Sequence, residues 1–350
     1  MHAVVFRGRG LMEIEDVPRP EPRAGEALLR VRAASICATD LRIVASGHPR
    51  VPDGTPRILG HELAGEIAVL GEGVKDLQVG DHVGVAPNIG CGSCRECLAG
   101  WTNLCPDYRA LGISLDGAFA EYMLIPAEAI RQGNVVRISD QTPPHLAAFA
   151  EPLSCCLNGQ EAVAVGTGDI VLIIGAGPIG VMHILLARLR GAEQVIVSEI
   201  SPTRLQQARV FGAGAVVNPK ERSLAQAVLE ITGGRGPDVV IVAAPSPEAQ
   251  AEALELSARR GRIVFFGGLP PDTPSARLNT NLIHYRQLVV TGTTGSTTRQ
   301  YRAALEMIVE GRIPAASLAG ARLPLEQFRE GFDRSRSASE MRIVLEPGSS

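Results

Sequence analysis

The sequence has no long apolar run, no strong charge of one sign and no even complement of cysteines, and each lack removes a class of protein. Charges or Gly/Pro break every apolar stretch before it reaches membrane-spanning length. The opening Met1-His2-Ala3-Val4-Val5-Phe6-Arg7 is too short an apolar run for a signal peptide. Charged residues make up 20% of the chain and the formal net charge is −3, so no field is strong enough to recruit nucleic acid or an anionic membrane. No internal repeat or low-complexity tract occurs. The expectation is a globular cytoplasmic protein whose partners are small molecules. Of its seven cysteines, four crowd between Cys91 and Cys105, a poor way to staple a large domain. Reduced thiolates holding a metal explain them better.

A chain of 350 residues exceeds what one hydrophobic core usually serves, so two domains are expected. The first 150 or so residues are rich in Gly and Pro and carry short strand-like stretches, among them Ala27–Val31 and Gly65–Leu70. From about residue 155 the pattern becomes a strand–helix alternation, which indicates a parallel sheet covered by helices and an α/β class overall. Expected strands are Ile170–Ile174, Gln194–Ser198, Ala215–Asn218, Asp238–Ala243, Arg262–Phe266 and Leu288–Thr291. Six strands complete a Rossmann-type dinucleotide fold. Ile179–Leu189, Pro202–Phe211 and Leu224–Ile231 repeat apolar residues at three- and four-residue steps and read as helices. After Thr291 the alternation stops. Helices at Tyr301–Val309 and Leu325–Phe332 and a strand at Met341–Leu345 are expected to rejoin the first domain. The division is therefore 1–154 with 295–350, against 155–294.

The coenzyme-binding signal is Ile170-Val171-Leu172-Ile173-Ile174-Gly175-Ala176-Gly177-Pro178-Ile179-Gly180, an apolar strand running through G-x-G-x-x-G into a helix. Gly175 permits the turn, Gly177 lets a pyrophosphate approach, and Gly180 lets the helix pack on its strand. Glu199 lies where a carboxylate accepts hydrogen bonds from the adenosine ribose, and its charge repels a 2′-phosphate. NAD is thus expected over NADP. Arg204 stands either near the adenine or as an ordinary solvated helix charge. Ala243, Gly267 and Thr293, at the ends of the last three strands, are further expected coenzyme contacts.

Cys91, Cys94, Cys97 and Cys105 form C-x2-C-x2-C-x7-C. Four thiolates close a tetrahedral shell and leave no position for substrate, so this is read as a structural zinc site. Cys37, His61, Glu62 and Glu151 are competent zinc ligands of another kind. Singly, each has a plainer explanation: a small buried hydrophobe, a satisfied core histidine, a surface charge.

Taken together, these motifs resemble the zinc-containing medium-chain dehydrogenase/reductase superfamily over essentially the whole chain. Gly60-His61-Glu62 with Gly65 is similar to its zinc signature, Cys37 in Ser35-Ile36-Cys37-Ala38-Thr39-Asp40 to its first catalytic ligand, and Glu151-Pro152-Leu153 to the acidic ligand or zinc-water contact of the polyol and threonine dehydrogenase branches. The resemblance implies a GroES-like catalytic domain beside the Rossmann domain, two zincs per chain, NAD, an alcohol or ketone substrate, and a homodimer or homotetramer. It implies a catalytic zinc on Cys37, His61 and either Glu62 or Glu151, with Thr39 accepting the hydroxyl proton.

Two positions depart from relatives. Arg42 stands where many carry a proton-carrying histidine, and arginine does not titrate usefully near neutrality. The relay must end on water, on ribose hydroxyls or on His48. Gly292-Thr293-Thr294-Gly295-Ser296 replaces the arginine-bearing segment of sorbitol dehydrogenases and looks more like the threonine dehydrogenase branch. Polyols, sugars, cyclitols and amino-alcohols stay open as substrates, with an L-threonine 3-dehydrogenase-like enzyme as the alternative. A non-catalytic NAD-binding zinc scaffold is the competitor of another class.

Overall fold

The computed structural model describes residues 1–52, 54–337 and 340–348. It divides into two compact units, one of Met1–Ser154 with Gly295–Ser350 and one of Cys155–Thr294. Among the described residues, no helix is long and apolar enough to cross a membrane.

The first unit is β-rich. Its seven-stranded sheet sets Glu62–Leu70 beside Ala27–Ser35, and Ala27–Ser35 beside the late strand Arg342–Glu346, both pairs antiparallel. The register decides what meets at the sheet end. Ser35 pairs with Glu62 on one side and with Val344 on the other, and the Ile36 N–H donates to the Ile343 carbonyl at 2.9 Å. Cys37, Glu62 and Arg342 therefore emerge together, although the last is far away in sequence.

Beneath this sheet end lies a core that includes Val31, Ile43, Leu63, Phe119, Phe332 and Leu345. Burying each large apolar side chain contributes roughly 1.5–3 kcal/mol. Phe119 and Phe332 meet edge to face, centroids 5.9 Å apart. Gly60 is demanded twice: its φ is +93°, and a Cβ there would lie 2.7 Å from the Phe119 ring. That close approach sets the direction of the next residue, His61.

The second unit holds a six-stranded parallel sheet in the order Ala215–Val217, Gln194–Ser198, Ile170–Ile174, Val239–Val242, Arg262–Phe265, Val289–Gly292. Ile170–Ile174 and Val239–Val242 are buried throughout, as central strands covered on both faces must be. The chain leaves Ile170–Ile174 toward one edge and returns beside it as Val239–Val242. Such a reversal is the switch point at which doubly wound sheets bind ligands.

The expected strands and helices of this unit recur with ends shifted by a residue or so. The later part of the chain departs more. The helix expected from Tyr301 begins at Thr298, because Thr297 and Gln300 form a capping box in which the Thr297 N–H donates to Gln300 Oε1 (3.0 Å) and the Gln300 N–H to Thr297 Oγ1 (3.2 Å). Leu325–Phe332 is not one helix: Leu325–Gln327 is a 3₁₀ turn, and the α-helix runs Phe328–Ser337.

Candidate metal and coenzyme sites

One sulfur, one imidazole and one carboxylate converge at the end of the first unit's main sheet. The ligand atoms of Cys37, His61 and Glu62 all lie within 4.8 Å of one another. Cys37 is the residue before the helix Ala38–Ser46, and its N–H donates to Asp40 Oδ2 at 2.9 Å. The other carboxylate oxygen of Asp40, wholly buried, stands 3.4 Å from His61 Nδ1, close but poorly aligned for a hydrogen bond. Asp40 so ties the thiolate's helix to the imidazole.

Arg342 pairs with Glu62 Oε2, both side chains nearly inaccessible to solvent. Glu62 Oε1 is buried and has no hydrogen-bond partner among the described residues. Burial works against the Arg342 charge, yet Glu62, Cys37 and Glu151 hold its pKa above the ordinary value. Burial lowers the His61 pKa, but Asp40 and Cys37 more than offset this and raise it well above normal. Burial and the nearby Glu62 raise the Cys37 thiol. Cys37 and Glu62 thus act on one buried arginine, while Asp40 faces His61. A thiolate at Cys37, which burial and Glu62 disfavour, needs further positive charge there. A divalent cation between a soft sulfur, a nitrogen and the free Glu62 oxygen fits that need, and zinc suits the mixed donor set.

The remaining expected residues lie outside this trio. Glu151 is buried in the first turn of the helix Ala150–Ala162, near enough to act on Arg342 and Tyr301. Thr39 is half-buried in the first turn of the helix that follows Cys37. His48 Nδ1 accepts from the Arg50 N–H at 3.1 Å, and burial together with Arg42 and Arg50 lowers its pKa. Ser296, in the segment that departs from the sorbitol dehydrogenase pattern, is only 2% exposed. Its hydroxyl meets that of Ser154 at 2.6 Å and its carbonyl accepts from Asn88 at 3.1 Å, which makes it a locked internal group. Sequence reasoning misses Asp40 and Arg342. Their signals are an Asp three residues beyond Cys37 and an arginine inside the apolar strand Arg342–Glu346.

The four sulfurs of Cys91, Cys94, Cys97 and Cys105 also gather within 4.8 Å. Thiolates about 2.3 Å from one zinc stand about 3.8 Å apart, and Cys94 Sγ and Cys105 Sγ are 3.8 Å apart. Backbone N–H groups point at the sulfurs: Cys94 to Cys91 Sγ at 3.3 Å, Cys97 to Cys94 Sγ at 3.4 Å and Cys91 to Cys105 Sγ at 3.2 Å. Such donors favour thiolates. The Ser93 N–H and hydroxyl lead in lowering the Cys91 pKa to about 6. The Cys97 N–H likewise lowers that of Cys94, but desolvation and the neighbouring thiols push it up to about 12. A zinc ion fits all four sulfurs as thiolates. Replacing Cys94 and Cys97 by serine is expected to remove one zinc per chain in elemental analysis while the other remains; two zincs retained would exclude this cluster.

In the second unit, Gly175 has φ +105°, and a Cβ at Gly180 would stand 2.0 Å from the Gly175 carbonyl oxygen, so the helix Pro178–Leu189 seats directly on its turn. Among the described residues, nothing lies within 4 Å of where a Cβ would project from Gly177, and no side chain caps this helix. Pro178 and Ile179 form its first turn. Open space before free N–H groups is a cradle for phosphate. Glu199 braces it: the Ala176 N–H donates to Oε2 at 2.9 Å, and those of Ile200 and Ser201 to Oε1 at 2.7 and 3.0 Å. Carboxylate oxygens retain further acceptor capacity for a ribose. Arg204 Nη1 is 3.9 Å from Glu199 Oε2. Gly267 is packed against Ala243, whose carbonyl oxygen a Cβ would meet at 2.7 Å. Thr293 follows the edge strand, its hydroxyl buried.

Known proteins carry the same combination. Residues 23–136 match the alcohol dehydrogenase GroES-like domain, and residues 178–310 match the zinc-binding dehydrogenase domain. The chain is 40% identical to the L-threonine 3-dehydrogenase of Pyrococcus abyssi over 293 residues, 82% of this chain and 80% of that protein. It is 33% identical to the sorbitol dehydrogenase of Bacillus subtilis over 339 residues, 96% of this chain and 93% of that one. A protein from Sinorhizobium meliloti described as a zinc-binding dehydrogenase, solved with NADP bound, superposes with a TM-score of 0.91 at 32% identity over 99% of both chains.

Proposed function

Because the chain belongs to the zinc-containing medium-chain dehydrogenase/reductase superfamily, we propose that it transfers a hydride between NAD and the secondary alcohol of a polyol, sugar, cyclitol or amino-alcohol. The observation that carries this reading is the buried Cys37–His61–Glu62 group with its spare carboxylate oxygen. A zinc scaffold has no use for a second, three-ligand site beside a closed four-cysteine one.

In this reading Cys37, His61 and Glu62 hold the catalytic zinc, and Glu151 serves as a further counter-charge to Arg342. Bound there, the metal supplies Lewis acidity that lowers the pKa of a substrate hydroxyl. Asp40 orients the His61 ring, as outer carboxylates of zinc sites do. Arg342 holds one oxygen of Glu62 and leaves the other for the metal. Thr39 Oγ1 accepts the hydroxyl proton. Burial, with Arg42 and Arg50, lowers the His48 pKa and makes it a weaker base, so the proton ends on water or a ribose hydroxyl. The coenzyme carries the electrons.

Glu199 supports NAD over NADP, since its charge opposes a 2′-phosphate. Among substrates, an amino-alcohol such as threonine is favoured by the L-threonine 3-dehydrogenases among the relatives. A panel of polyols, inositols, sugars and threonine, followed by absorbance with each coenzyme, tests both points. The kcat/KM with NAD is expected to exceed that with NADP by about tenfold or more, roughly 1.4 kcal/mol. Equal or better use of NADP would remove the Glu199 argument.

The edge strand Val289–Gly292, with Val289 exposed, offers unpaired backbone groups to a second copy. A homodimer or homotetramer is the proposed assembly; a monomer in sedimentation at micromolar concentration would exclude it. Thiolate metal ligands support a reducing compartment, and the cytoplasm is the proposed location.

A further inference from the structure

The helix Pro178–Leu189 that opens at the phosphate cradle carries one polar residue in its buried face. His183 is wholly inaccessible among Val181, Met182, Ile184, Leu185 and Leu186. A leucine would fill that space without desolvating a polar ring. Instead the chain supplies a dedicated partner. Gln160, also fully buried, donates from Nε2 to the His183 carbonyl at 2.8 Å and lies 3.3 Å from His183 Nδ1. In the tautomer where Nδ1 accepts from that amide, the proton is on Nε2, a buried atom with no hydrogen-bond partner among the described residues. Burial lowers the His183 pKa to about 3, so the ring stays neutral through any working pH.

The ring has an aromatic neighbour as well. His183 and Phe266 meet edge to face, centroids 4.7 Å apart and planes at 89°. Gly159, one residue before Gln160, makes room for both: a Cβ there would lie 2.9 Å from Phe266 Cδ2 and 3.4 Å from His183 Cε1. Phe266 is the first residue after the strand Arg262–Phe265. Its N–H and that of Gly267 both donate to the Val242 carbonyl, at 3.0 and 2.9 Å. Gly267 packs on Ala243, and a Cβ at Gly175 would stand 3.2 Å from the Ala244 nitrogen. A continuous run of contacts thus joins Gly159, Gln160 and His183 to the turns at the C-terminal ends of three sheet strands.

We infer that His183, oriented by Gln160, is a positioning residue for the coenzyme: it sets the Phe266 ring and through it the Phe266–Gly267 turn against which the coenzyme lies. The inference rests on the coenzyme reading above. It places no new group in contact with substrate.

The test is calorimetric titration of the zinc-loaded chain with NADH and NADPH, beside steady-state kinetics. His183→Leu keeps volume but loses the ring; His183→Phe keeps a ring against Phe266; Gly159→Ala adds one methyl against Phe266 and favours its helix. His183→Leu and Gly159→Ala are expected to weaken coenzyme binding by about tenfold, raising coenzyme KM with kcat, alcohol KM and zinc content nearly unchanged. His183→Phe is expected to recover most of the loss. A merely structural histidine would lower the melting temperature and leave the coenzyme dissociation constant within about twofold of native, which would overturn the inference. Should His183→Leu not fold, Gly159→Ala decides alone. Failure of the NAD reading shows separately, in the native chain: preference for NADPH leaves the variant-to-native ratio measurable with that coenzyme, and binding of neither overturns both.

Discussion

Replacing Arg342 by methionine is expected to lower the unfolding free energy by roughly 3–5 kcal/mol, because the change strands the Glu62 charge in a buried place. Glu62 is fully inaccessible and Arg342 only 4% exposed, so water cannot take over the lost partner. The penalty comes from the isolated charge and not from the worth of the pair, which separates this expectation from a simple loss of contact. A double variant, Arg342→Met with Glu62→Leu, removes both charges and should therefore be more stable than Arg342→Met alone. Urea melts of the metal-free chain read this directly. A single-variant loss below about 1 kcal/mol would mean that Glu62 is neutral or solvated when alone.

Replacing Cys37 by serine is expected to remove one zinc per chain and more than about 10³-fold of kcat/KM, beyond the ~10–100-fold that outer partners of a metal site typically contribute. A serine hydroxyl stays protonated where the thiolate would bind, and it is a harder, weaker donor for zinc. Asp40→Asn gives the comparison. It preserves shape and the three ligands while removing the charge 3.4 Å from His61, so a loss within the ~10–100-fold range is expected with zinc retained at reduced affinity. Turnover by Cys37→Ser close to native would take Cys37 out of the site. The four-cysteine cluster should be untouched in both variants, since none of its ligands comes from this part of the sheet.

Much of this arrangement is legible in the amino-acid sequence wherever the signal is local. Ile170–Gly180 places an apolar strand, a glycine turn and a helix in consecutive residues, and the spacing from Cys91 to Cys105 is a complete ligand set within one loop. The central strands Ile170–Ile174 and Val239–Val242 are continuous apolar runs because both faces are covered, so at most their ends shift. Contacts set by register are another matter. Arg342 reaches Glu62 because Val344 and Glu62 both pair with Ser35 on opposite sides of one strand, a relation no spacing encodes. The same register brings Glu62 together with Cys37 and His61.

Polar groups inside apolar patterns are illegible for a related reason. His183 sits in a run that reads as helix face, and its partners Gln160 and Phe266 come from other elements. Ser296 carries no signal of its surroundings in the sequence, yet its hydroxyl meets that of Ser154 and its carbonyl accepts from Asn88. In each case the side chain's type is plain and its neighbours are not.

The most direct measurement is the zinc content of the purified chain taken together with NADH formation on an alcohol panel, before and after the more exchangeable metal is removed by a chelator. Two zincs per chain are expected, with substrate-dependent NADH formation that disappears when the second zinc is withdrawn and returns when it is restored. One zinc per chain and no NADH from any alcohol would contradict the assignment of Cys37, His61 and Glu62 as a catalytic metal site.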